Sequence, residues 1–245
     1  MKSLAQLGLL IAFVTTTTFE RPAVAADAPN ADALLDKAIQ ALGGSTNLTK
    51  SVGLSWKTKG QLNLNGTDNP FTGRTTVKNL SHARIEFEGD FGGNQVRGET
   101  VLEGESGWRE IAGTRTDLDR DALANERRNL YLQVLPAILV PLKDKNSGFK
   151  IESASNAKIG DRQVVDLKVV PADGKPFTLT LDAATALPLR TVAKVLDWTG
   201  NEVTQEVTFD AYKEMSGIKK ATKLHYKRDG ERLMDVEILE FKFQG

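Results

Sequence analysis

The chain of 245 residues has no cysteine. That absence excludes disulfides, thiol nucleophiles and thiolate-bound metal, and it excludes acylation of an N-terminal cysteine after export. Histidine is almost as scarce: His82 and His225 are the only two, far apart and both in strand-like surroundings. Zinc sites and acyl-transfer triads need such groups at ligand or hydrogen-bond spacing. Both histidines are therefore read as surface or hydrogen-bonded strand residues, and no metal or cofactor is expected. Neither sign of charge is in excess. The 32 basic and 32 acidic residues are interspersed, which gives neither a nucleic-acid groove nor a polybasic membrane contact.

What is present begins with an export signal. Lys2 supplies a positive start, residues 4–14 an apolar core, and Ala23-Val24-Ala25 a cleavage site before Ala26. That core is shorter than the ~20 residues that cross a bilayer, and no later run approaches such a length. Removing residues 1–25 leaves 30 basic and 31 acidic residues, a formal charge of −1. About 220 residues can bury ~70% of their unfolded surface, enough for one β domain over 26–245 held by its core alone. The reading is a periplasmic protein with no transmembrane span.

After a polar linker, residues 32–42 read as a helix, with Leu34, Leu35, Ala38, Ile39 and Leu42 on one stripe and Gly43-Gly44 as its stop. About a dozen alternating segments follow, from 54–64 to 233–243, separated by turn pairs such as Asn65-Gly66, Asp173-Gly174 and Asp229-Gly230. Tight sequential links imply an antiparallel meander. One apolar helix, 119–142, interrupts them. It carries Leu123, Leu130, Val134 and Ile138 on one face and Arg120, Arg127 and Arg128 on its polar side. Pro136 predicts a kink or break, and Pro141 an end. The fold class is mainly β with helices (α+β): a curved antiparallel sheet whose apolar face the helices cover.

The chemistry is sparse. Asp117, Asp119 and Asp121 lack the glycine and glutamate of a calcium loop and read as charge complementing a helix N-terminus. Gly89, Gly92, Gly93 and Gly98 do not open a helix, so they read as loop glycines, not a phosphate cradle. Glu86/Glu88 and Glu103/Glu105 read as solvated pairs. No nucleophile and base can be paired, so the protein is read as a non-enzyme. Trp56, Phe87 and Trp108 lie on different strands and can converge beneath the helix. They either fill a core or line an apolar concavity for a small hydrophobic molecule.

Several motifs carry a resemblance. A short helix ends in Leu-Gly-Gly (42–44), followed by Trp-x-x-x-Gly (56–60) and by Gly-Trp (107–108) before the helical insert. Later come Leu-Asp-x-x-Thr-x-Leu-Pro-Leu-Arg (181–190) and Asp-x-Tyr-x-x-x-x-Gly-Ile-Lys (210–219). Across most of 30–245 the chain resembles the periplasmic outer-membrane lipoprotein-sorting proteins of the LolA/LolB-like family. The resemblance implies a half-open antiparallel β-barrel of about 11–12 strands with a helical lid. It also implies acyl chains of lipids or lipoproteins bound in the concave interior, and an envelope membrane receptor as a further partner. An interior arginine key to such carriers falls on Arg84, Arg97 or Arg109. The expected ligand-facing residues are Trp56, Phe87, Trp108, Leu130, Val134 and Ile138. The alternative is a protein-interaction or envelope-stress sensing domain of the same fold with a packed interior. A void of several hundred Å³ beneath the helix separates the two.

Overall fold

The computed structural model describes residues 29–49 and 53–244; the expected export signal over 1–25 lies outside them. The chain starts with α1 (Ala31–Leu42) and a single turn, α2 (Ser45–Leu48). Asn30 caps α1 by accepting from the Ala33 N–H at 3.1 Å. Gly43 ends it at φ 131°, and its α-carbon lies so near the Gly217 carbonyl that a Cβ would stand 3.0 Å from that oxygen. The helix buries Leu35, Ala38, Ile39 and Leu42, the stripe expected from the sequence.

Six strands follow: β1 (Gly53–Leu64), β2 (Thr67–Asn79), β3 (His82–Phe91), β4 (Asn94–Glu103), β5 (Ser106–Ile111) and β6 (Thr114–Asp117). Next comes α3 (Arg120–Ile138), with a 3₁₀ turn at Val140–Leu142. Seven more strands complete the chain: β7 (Lys150–Ile159), β8 (Arg162–Val170), β9 (Phe177–Asp182), β10 (Pro188–Leu196), β11 (Glu202–Met215), β12 (Ile218–Arg228) and β13 (Glu231–Gln244). All thirteen form one sheet in the order β6-β5-β4-β3-β2-β1-β13-β12-β11-β10-β9-β8-β7, antiparallel throughout. It is an open half-barrel with a helical cover, as expected, and has one strand more than the sequence suggested. The first and last strands pair at its centre, and both edges belong to the middle of the chain.

Helix α3 departs from the sequence reading in two ways. It passes through Pro136 without a break and stops at Leu139, which turns left-handed at φ 52°. Proline removes the donor that would bond the carbonyl four residues earlier. That carbonyl, on Leu132, accepts instead from Thr191 Oγ1 of β10 at 3.2 Å. A sheet hydroxyl thus satisfies the gap in the helix ladder. The second departure is Arg128, read as solvent-facing. Its side chain is 5% exposed, paired with Asp173 at 2.7 Å and directed at the Lys194 carbonyl. Asn125 also turns inward and bonds both backbone groups of Leu196, at 3.0 and 2.7 Å. The helix is tied to the sheet by polar groups as well as by packing. Of the aspartates read as helix-terminus charge, Asp119 caps the helix by accepting from the Ala122 N–H at 2.8 Å and Asp121 lies in its first turn, whereas Asp117 belongs to β6.

Candidate ligand-binding face

Residues directly opposite each other in a sheet point to the same side, so strand register assigns every side chain to a face. One row runs Trp56–Thr75–Ile85–Thr100–Arg109 across β1 to β5, and Phe241 of β13 faces Trp56. The next row outward is Thr58–Gly73–Phe87–Gly98–Ile111. These rows lie on the inner face, against which Leu123 of α3 packs near Gly107. Lys57, Arg74, Glu86, Glu99 and Glu110 form a row on the opposite, polar face.

Trp56 and Phe87 therefore share the inner face. Trp108 does not: it pairs with Val101, in register with Arg84 and Thr76, and its ring faces outward beneath the Arg115 guanidinium at 4.0 Å. The three aromatics do not converge. Trp56 is packed in the core, and Phe87 is half-buried. On α3, Leu130 and Val134 are each 1% exposed and Ile138 is half-buried. From Leu130 onward the helix buries Leu132, Leu135, Pro136 and Ala137 as well, so it is enclosed on nearly all sides, as a helix within a core is.

The inner face is uncovered elsewhere. Leu62, Ile85, Phe87, Phe91, Val96 and Ile111 all point inward by register, yet none joins the core cluster and each is partly open to solvent. Phe87 meets Phe91 edge-on at 6.2 Å. Glycine shapes this shelf. Gly89 and Gly98 lie within β3 and β4 rather than in loops, and only Gly92-Gly93 turn the chain. The Phe71 ring covers Gly60 so closely that a Cβ would stand 2.7 Å from it, and the Phe87 ring covers Gly98 in the same way. Flat rings over glycines make a low apolar floor.

Register also decides among the three arginines. Arg84 pairs with Glu86 and Glu99 on the polar face, and Arg97 is 85% exposed beside Glu88. Arg109 alone faces inward, bonding Thr100 Oγ1 at 3.4 Å and Glu126 of α3 at 2.5 Å. Burial raises the Glu126 pKa, opposed by the charge of Arg109. At the other side of the Trp56 row lies Lys220 of β12, 5% exposed, with its ammonium over the rings of Trp56 (5.9 Å) and Phe241 (5.7 Å). Nothing in the sequence flagged it, although an inward parity shared with Thr222, Leu224 and Tyr226 is readable from the strand.

Cavities of about 590, 980 and 230 Å³ take most of their lining from polar-face residues, such as Lys57, Arg74, Glu86 and Glu88, and none takes a residue from α3. The histidines are satisfied: His225 meets Asp235 at 2.6 Å and His82 meets Asn79 at 3.0 Å. Among the described residues no group of histidine and carboxylate side chains has the arrangement to hold a metal, and no helix is long and apolar enough to cross a membrane.

No protein-family model matches the sequence, and no curated protein sequence matches it. Solved structures do. A LolA superfamily protein from Nitrosomonas europaea aligns over 89% of this chain and 95% of its own, with a TM-score of 0.57 at 9% identity. An outer membrane lipoprotein-sorting protein domain from Vibrio parahaemolyticus covers 88% and 94%, with a TM-score of 0.55 at 13% identity. A DUF1329 family protein from Desulfovibrio piger covers 87% and 92%, with a TM-score of 0.53 at 14% identity. What they share with this chain is the fold: an open antiparallel half-barrel with a helical cover, the LolA-like architecture.

Proposed function

From this LolA-like half-barrel, filled on one side and bare on the other, we propose a non-enzymatic periplasmic carrier of hydrophobic ligands. It is exported by residues 1–25 and forms a single domain over 26–245. The ligand is an acyl chain of a lipid or lipoprotein, handed to or from an envelope membrane partner. One observation carries the reading: six apolar side chains stand on the inner face outside the core, at Leu62, Ile85, Phe87, Phe91, Val96 and Ile111. A contiguous exposed apolar patch is where a hydrophobic partner binds. Each buried CH₂ contributes about 0.8 kcal/mol, so part of an acyl chain suffices for firm binding. The names of the solved relatives fit this reading.

The lining proposed here keeps Phe87 and assigns the bare shelf, rather than Leu130 and Val134, to the chain. The enclosed second half of α3 favours the alternative, an interaction or sensing domain, for the region under the helix itself. A fluorescent acyl probe tests the choice. It should bind the purified protein, and Phe87→Asp with Ile111→Asp should weaken it more than tenfold while circular dichroism and melting stay unchanged. Equal binding by the double variant removes the shelf, and absence of binding to the parent protein leaves the interaction domain.

A further inference from the structure

Lys220 is a cation inside an apolar core with no acid to meet it. Its side chain has no hydrogen bond or ion pair to any described residue, and burial alone pushes its pKa down to about 8. The residue opposite it on β11 is another lysine, Lys213. Glu240, next to Phe241 on β13, points to the polar face and is bound to Lys57 at 2.9 Å. What faces the ammonium is aromatic: Trp56 and Phe241, both inside 6 Å. Such rings offset part of the cost of desolvating an ammonium, but an unpaired buried charge remains expensive. Methionine or leucine would fill the same space without that cost.

The position gives the charge a use. The Trp56 row continues through Thr75 to Ile85 and Thr100, and these last two are partly open to solvent beside the shelf. We propose that Lys220 is the head-group anchor of the ligand site, so that the ligand is a long-chain carboxylate whose anionic end pairs with this ammonium while its chain lies on the shelf. This rests on the carrier reading and narrows it from any apolar chain to an acidic amphiphile. A carboxylate arriving there forms a charge-assisted hydrogen bond shielded from water, which is worth most where the site supplies no other acceptor. Both ring faces then hold the ammonium while the acid takes its remaining donors.

Laurate and dodecanol separate the head group from the chain. The purified protein should bind laurate about tenfold or more tightly than dodecanol, as loss of a charged hydrogen bond implies. Lys220→Met should erase that preference, leave dodecanol affinity unchanged and melt no lower than the parent protein. Equal laurate affinity in parent and variant, with dodecanol bound by both, overturns the anchor and leaves the carrier standing. Binding of neither ligand to the parent protein removes both. A measurement on unmutated protein stands beside it: the N-hydroxysuccinimide ester of laurate should acylate Lys220, and free laurate should block that labelling. Labelling confined to exposed lysines counts against the anchor.

Discussion

On β8, β9 and β10 the inward residues Leu167 and Leu179 are fully buried and Ala193 is 4% exposed, whereas on β3 and β5 the inward residues Ile85, Phe87 and Ile111 remain partly open. Both wings of the sheet alternate with the same period. They differ in what covers them. Helix α3 runs along β10 of the C-terminal wing and is tied to that wing through Thr191, Asn125 and Arg128, and its second half buries Leu130, Leu132, Val134 and Leu135. The N-terminal wing receives only the start of the helix, through Leu123 and the Arg109–Glu126 pair. The lesson is that a helix of ordinary length cannot cover a thirteen-stranded sheet, and what it leaves bare is available for binding.

The comparison breaks most visibly by cavity. Leu135→Ala, in the filled wing, should cost about 2–5 kcal/mol in urea unfolding, since a fully buried side chain leaves a void. Phe87→Ser, in the bare wing, should cost clearly less while weakening acyl-probe binding. Equal losses at the two positions would mean that the wings are packed alike.

A smaller effect is expected at the helix tie. Thr191→Val strands the Leu132 carbonyl in the core and should cost about 1–3 kcal/mol. Restoring the backbone donor with Pro136→Ala in the same chain should recover part of that loss, so a double-mutant cycle should show positive coupling. Strict additivity would sever the link between proline and threonine.

The bridge between the wings should respond to pH. Burial holds the Glu126 pKa above the ordinary carboxylate range, the Arg109 charge opposing it. A raised pKa means that the folded state keeps its proton longer than the unfolded one. The contribution of Glu126 to stability is therefore complete below the ordinary carboxylate range and lost as pH rises through the raised value. Glu126→Gln should flatten that segment of the stability–pH curve, read from melting temperatures at mildly acidic to neutral pH. The smallest change belongs to Arg97→Ala, an 85% exposed partner of Glu88, which should stay within about 0.5 kcal/mol.

The wings were not equally legible in the sequence. Strong turn pairs such as Asn65-Gly66 and Asp229-Gly230 placed the hairpins, and twelve of the strands carry enough alternation to be seen. β6 does not: Thr114-Arg115-Thr116-Asp117 is exposed at every position and has no apolar side to betray it. Trp108 was expected beneath the helix with Trp56 and Phe87, but pairing with Val101 places it on the outer face, while Ile111, opposite Gly98, and Arg109 point inward. Arg128 and Asn125 were hidden for a different reason. Their partners, Asp173 and Leu196, lie 45 and 71 residues away, and no local pattern announces such a bond.

The pairing of β1 with β13 also dictates an order of assembly. Each wing is a chain of neighbouring hairpins, able to form from contacts close in sequence. The seam between them joins Gly53 to Gln244 and Leu62 to Met234, so it closes only after the last strand exists. Until then the polypeptide carries two sheets linked by one helix, each with a raw inner edge where its sibling will dock. Joining them means closing a loop of most of the chain, and the slow step of refolding should be this seam.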